Sequence, residues 1–310
     1  MTTTTARPAI PHVGIPGLRL VRSEFRKIRT TNAWWLFGIA SLVITGLTLW
    51  INMAQAASNI AFARGPLPTG FKPGDDRAQA ADAPAELLRA HDLHQQSINA
   101  AGSIFTSGQF FGLMLVMLLG ILVITNEFQY QTATATFLTT PHRTRVVFGK
   151  LAAAIGLGFL FWLVSQAISR TAGLIFFNNV DLTNSLGEWA VQRAMLFNLA
   201  AYLLWAVFGF GLGTLIRSQI GSVVTGMIIY LVGYIGAIGV FILIRTYIIH
   251  RDGVLTAAVS MPSIATQVMI SPDKLYEQSP PWWVGALVMI GWSVLAGLVG
   301  ILLTRRRDIS

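Results

Sequence analysis

Apolar residues run along this chain in six long blocks, near residues 33–53, 108–125, 146–177, 195–216, 220–244 and 284–303. Crossing a bilayer as a helix takes about 20 predominantly apolar residues, and every block is of that order. The third exceeds the requirement, which predicts a tilted or projecting helix. Only Arg217, Ser218 and Gln219 separate the fourth block from the fifth, the spacing of a tight helical hairpin. The pattern predicts an all-α polytopic membrane protein with six transmembrane helices.

Two stretches interrupt this picture. Residues 65–94 form the longest loop, opening with Pro66, Pro68, Gly70, Pro73 and Gly74 and then turning acidic and alanine-rich. Within it, Pro84 suits the start of a short helix. Residues 253–270 are fairly apolar, but Ser260, Pro262, Ser263, Thr266 and Gln267 make a poor lipid-facing span. A re-entrant or surface-lying element on the outer side is expected there, because irregular backbone at membrane depth must be covered by protein or line a cavity. Ala54-Gln55-Ala56 resembles a signal cleavage site. The apolar run before it is too long for a signal core and starts too late, so an uncleaved first span is expected.

Ahead of the first span, Leu18, Val21, Phe25 and Ile28 recur at helical spacing, beside a stripe of Arg19, Arg22, Arg26 and Arg29. This predicts an amphipathic helix lying in the membrane interface, apolar face in lipid and cations near anionic headgroups. A plain basic flank that only orients the first span is the simpler alternative. Trp34 and Trp35 then suit the headgroup level.

Composition agrees with the span count. The 310 residues are 54% hydrophobic and only 11% charged, against about 25% charged in soluble domains. Such a chain cannot clothe a soluble surface. The net charge of +9 points to membrane orientation rather than nucleic acid, because its cations flank apolar runs. With six spans, one side carries thirteen basic residues against three acidic, and the other nine against ten. The positive-inside rule puts the first side, with both termini, in the cytoplasm. The resulting division is a flexible cytoplasmic N-terminus (1–15), a membrane domain (16–304) and a cytoplasmic tail (305–310). Cysteine is absent, which excludes disulfides, thiolate metal sites and a cysteine nucleophile.

The densest chemistry lies between the second and third blocks, in the threonine-rich, basic sequence NEFQYQTATATFLTTPHRTRVVFGK at 126–150. Phe128, Tyr130, Phe137 and Leu138 suit insertion into a groove, while Glu127, Arg143 and Arg145 suit ion pairs with a partner. Pro141 disfavours helix in the residue before it. A short helix ending there, held at both ends by spans, transmits a rigid-body push.

The order Glu127, Phe128, Gln131-Thr132, Leu138, Pro141, Arg143, Lys150 resembles the cytoplasmic loop of type 2 ABC transporter permeases. Gln131 departs from the glycine usual at that position. The resemblance implies a coupling helix that contacts a separate ATPase subunit. Its contact residues would be Glu127, Phe128, Tyr130, Thr132, Leu138, Pro141, Arg143, Arg145 and Lys150. It also implies an N-terminal elbow helix carrying Arg19, Arg22, Phe25, Arg26 and Ile28, and a second permease copy. The setting it implies is a bacterial plasma membrane. No G-x-x-x-x-G-K-[ST] phosphate loop occurs in the sequence. ATP and Mg are therefore expected on the partner, with no cofactor and no catalysis in this chain. The expected function is the permease subunit of an exporter of unidentified cargo. The alternatives are an ATP-independent channel or secondary transporter, and a membrane anchor for a cytoplasmic partner.

Other candidates are weaker. His91, Asp92 and His94 supply too few ligands for a closed zinc site. Arg170, Arg193 and Arg245 lie near outer span ends, where snorkelling competes with a role in an outer vestibule. Glycines at 209, 211, 213, 226, 233, 236 and 239 suit close helix packing, or else a flexible gate.

Overall fold

The computed structural model describes residues 23–28, 32–66, 89–129, 143–216, 218–249, 256–275 and 279–306. Among these there is no strand, and six helices are long and apolar enough to cross a membrane. The chain is an all-α, multi-pass membrane protein. Its helices are α1 (Ala33–Arg64), α2 (Leu93–Phe105), α3 (Gln109–Gln129), α4 (Arg143–Asn179) and α5 (Trp189–Ile216). Then follow α6 (Gln219–Met227), α7 (Gly233–Ile244), α8 (Pro262–Ile270) and α9 (Trp282–Arg306). Of the expected coupling segment at 126–150, residues 130–142 lie outside the described residues, as do 16–22 and Arg29 of the expected elbow.

The first two spans extend well beyond their apolar blocks. α1 continues unbroken through Ala54-Gln55-Ala56 to Arg64. The second span begins fifteen positions before its block, with α2, whose LHQQSINAAGSIF sequence carries no continuous apolar signal. Asp92 starts it by capping: its carboxylate accepts from the amides of His94 (3.0 Å) and Gln95 (3.2 Å). A bend at Thr106–Gly108 joins α2 to α3. Gly108 sits at φ 81°, a left-handed conformation that glycine adopts without steric cost. Thr45 of α1 presses against the space where a side chain would stand.

α5 is the central helix, packed between α3, α4 and α9. Gly209 lies against the backbone of Met117 in α3, and Gly211 against that of Ala296 in α9. Small residues permit such close approach in lipid, where dispersion contacts replace a hydrophobic drive. The packing role expected of the fourth-span glycines is what the helices use. In the fifth span the expectation holds for Gly226, against Met117 and Ile121, but Gly239 meets open space. That span is also locally widened into π-helix at Ile228–Val232 and Arg245–Ile249. The first π turn aims Tyr230 inward, where its hydroxyl donates to the Phe110 carbonyl and its ring meets Trp205 at 4.7 Å.

The segment expected to be re-entrant or surface-lying enters the protein. Trp292, ten residues into α9, donates to the Ser260 carbonyl at 2.9 Å. Thr266 accepts from the Trp205 indole at 3.0 Å. From there α8 climbs back until the Ser271 and Pro272 carbonyls meet Arg193 near the start of α5. All of α8 except Gln267 is buried. Irregular backbone at span depth is therefore covered by protein, as a low-dielectric surrounding requires.

Candidate functional site: an ion-pair ring at the base of the loop

At the end of the bundle where α3 finishes and α4 begins, four charged side chains close a ring. Lys150 Nζ lies 2.6 Å from Glu24 Oε2 and 2.7 Å from Glu127 Oε1. Lys27 Nζ completes it, 3.0 Å from Glu24 Oε1 and 3.3 Å from Glu127 Oε1. Glu127 comes from the last turns of α3, Lys150 from the second turn of α4, and Glu24 and Lys27 from the helical residues 23–28. Residues 24 and 27 share a face at i,i+3 spacing, so one short helix presents both signs.

Burial makes this a structural commitment. The Lys150 side chain is 1% exposed and both carboxylates 7%, whereas Lys27 is 52% exposed. Two lysines balance two glutamates, so the buried charges have the partners without which they would be strongly destabilising. Burial of Lys27 opposes its charge, but hydrogen bonding and attraction from Glu24, with attraction from Glu127, outweigh it and hold the ammonium above its ordinary 10.5.

Apolar contacts hold the carriers in register. The Phe25 ring lies against Gly156 of α4, and Phe25 and Ile28 both pack on the main core. This corrects one expectation: for these two residues the apolar face rests on protein rather than in lipid. Arg26 points to solvent. Arg19 and Arg22 lie outside the described residues.

The ring also changes the reading of Glu127. Sequence reasoning left it available to a partner; it is enclosed between Lys150 and Lys27. Arg145 remains exposed on the first turn of α4, which begins at Arg143. Tyr130, Thr132, Leu138 and Pro141 are outside the described residues, and nothing is described of the Phe128 side chain. Glu24 and Lys27 were missed as site residues. Their signal was an acid inside an otherwise basic stripe.

The three vestibule arginines sit on three different helices. Arg193 donates to the Ser271 and Pro272 carbonyls at 2.9 and 3.0 Å and lies 5.4 Å from the Trp282 ring. It caps the end of α8, a common use of arginine at a helix C-terminus. Arg170 and Arg245 are exposed. The His91 ring lies 4.6 Å from that of Phe62, tilted by 54°, and His94 lies 3.6 Å from Glu188. Among the described residues no group of three metal-ligating side chains forms.

No protein-family model matches this chain, and no curated protein matches its sequence.

Proposed function

We propose that this chain is the membrane-spanning permease subunit of an ATP-driven exporter, working with a separate ATPase subunit and a second permease copy. The observation that carries the reading is the ion-pair ring. It joins the two ends of the 126–150 loop to each other through Glu127 and Lys150, and both to the N-terminal helix through Glu24 and Lys27. The end of α3 and the start of α4, fastened in this way to the N-terminal helix, move as one body, which suits them to pass on a push received between them. Arg145, exposed on the first turn of α4, and Arg143 two positions before it in sequence are the cations proposed to meet the ATPase. Location in a bacterial plasma membrane, cytoplasmic termini and the second copy follow from the resemblance and the charge bias.

A second reading draws on α8. A buried half-helix beside a span interrupted by π turns resembles the discontinuous helices of ATP-independent transporters. That reading needs no ATPase.

One experiment separates them. The tagged chain is extracted gently from its native membrane, alongside Arg143→Ala/Arg145→Ala. Co-recovery of a phosphate-loop ATPase with the intact chain, reduced at least fivefold by the double substitution at equal chain recovery, is expected. No ATPase with the intact chain, or undiminished recovery with the variant, sinks the exporter reading.

A further inference from the structure

At the end of the bundle opposite the ion-pair ring, a cleft of about 510 Å³ opens between α1, α2 and the segment following α8. Its size falls within the range of small-molecule sites, about 300–1,000 Å³. Its lining differs from an ordinary lipid-exposed groove. Asn52, Gln55 and Asn59 project from α1 at spacings of three and four, so they share one helical face. Gln96, Asn99 and Ser103 repeat that spacing on α2. Two polar stripes thus face one space. Asn52 fixes the floor, donating to the Ser103 carbonyl at 3.0 Å and to Ser107 Oγ at 2.9 Å.

Gln109 and Gln267 close one wall. The Gln109 amide donates to the Gln267 carbonyl oxygen at 3.2 Å. That single bond leaves Gln109 Oε1 and Gln267 Nε2 buried without a protein partner. One acceptor and one donor are therefore left over in this wall, and each buried polar group of this kind calls for a partner. Swapping the amide orientation of both residues reproduces the same pair.

We infer that this cleft binds a neutral, hydroxyl-rich ligand of the carbohydrate class. A hydroxyl both donates and accepts, so it satisfies the orphaned pair; a carboxylate or an ammonium satisfies one member only. The charges on the lining, Asp273 and Lys274, cancel. Among the described residues the only larger apolar side chains on the lining are Ile270, Pro272 and Leu275, which gives the side chains of a peptide little to pack against. Seven side-chain amides offer both donors and acceptors around the space. The inference is independent of the exporter reading, because it needs neither an ATPase nor transport.

The test uses the purified full chain in lipid nanodiscs, with sucrose and maltotriose as probes and trialanine amide as the neutral peptide control. Binding is read by ligand-observed NMR. Saturable binding of a saccharide is expected, weakened at least tenfold in Gln109→Leu/Gln267→Leu. Gln55→Ala/Asn59→Ala, both exposed on α1, should weaken it without loss of thermal stability, which covers the case in which the buried pair fails to fold. Absence of saturable binding by either saccharide overturns the inference. So does binding that both double variants leave unchanged, and so does stronger binding of the peptide control.

Discussion

The two ends of this bundle handle buried polarity in opposite ways. At the base of the loop, four full charges are brought together and neutralised internally, with every carboxylate and ammonium matched. At the far end, seven amides line an open space, and the buried pair among them is left one donor and one acceptor short. The buried members of the ring are satisfied within it; its product is rigidity between three segments of chain. An under-satisfied amide wall does the reverse and leaves hydrogen-bonding capacity for something that arrives.

The largest effect should come from opening the ring. Lys150→Met leaves Glu24 and Glu127 buried with only the half-exposed Lys27 to answer them. Breaking a buried pair from one side costs about 3–5 kcal/mol. Thermal unfolding in detergent, followed by size-exclusion, should show a large loss of monodisperse protein. Replacing all three buried members, as Glu24→Leu/Glu127→Leu/Lys150→Met, should recover most of it, because apolar substitutes of similar volume are often neutral. If Lys150→Met unfolds like the parent, the ring is not a fastening and the rigid-body argument for the loop fails.

The amide pair should respond less, and with a different signature. Gln109→Leu alone strips Gln267 of its one bond and should cost about 1–3 kcal/mol, the penalty for an unsatisfied buried polar group. The double Gln109→Leu/Gln267→Leu should be close to neutral, since both partners leave together. A double variant less stable than the single would mean that the pair supports the fold, and the contrast between the ends would weaken. Gly108→Ala probes the bend beneath the cleft. Holding alanine at φ 81° costs about 1–2 kcal/mol, and the approach of Thr45 adds to it.

How far these regions were legible in the sequence differs for a physical reason. Apolar runs of span length mark four of the six crossings nearly to their ends, because lipid imposes the pattern directly; α1 continues past its run to Arg64. α2 escaped because half its face is amide and hydroxyl, and its buried stripe of Ile98, Ala101, Ile104 and Phe105 is too short to mark a span; a capping aspartate and tertiary packing make it helical. The cleft was visible in principle, in the matched spacings 52-55-59 and 96-99-103, but a polar stripe declares itself only when a second one is found opposite. The ring was not legible. Glu24 and Lys150 are 126 positions apart, and nothing local distinguishes their pairing from positive-inside flanking charge. Glu127 was singled out on pattern, yet its burial depends on where the N-terminal helix lies.

The smallest effect belongs to Lys27, and its sign is fixed. Its ammonium is held above the ordinary 10.5, so folding favours the protonated form. The stability it contributes is complete below about 10.5 and is lost as pH rises through the higher folded value. Because the side chain is half exposed, solvent screens most of this attraction and the contribution is small. Unfolding temperatures recorded from pH 8 upward should therefore stay level and then fall slightly faster in the parent than in Lys27→Gln. A difference that appears below pH 9 instead would contradict the raised value of the Lys27 ammonium. It would mean that the ring is already open on its solvent side, which would bring the two ends of the bundle closer in character than their burial implies.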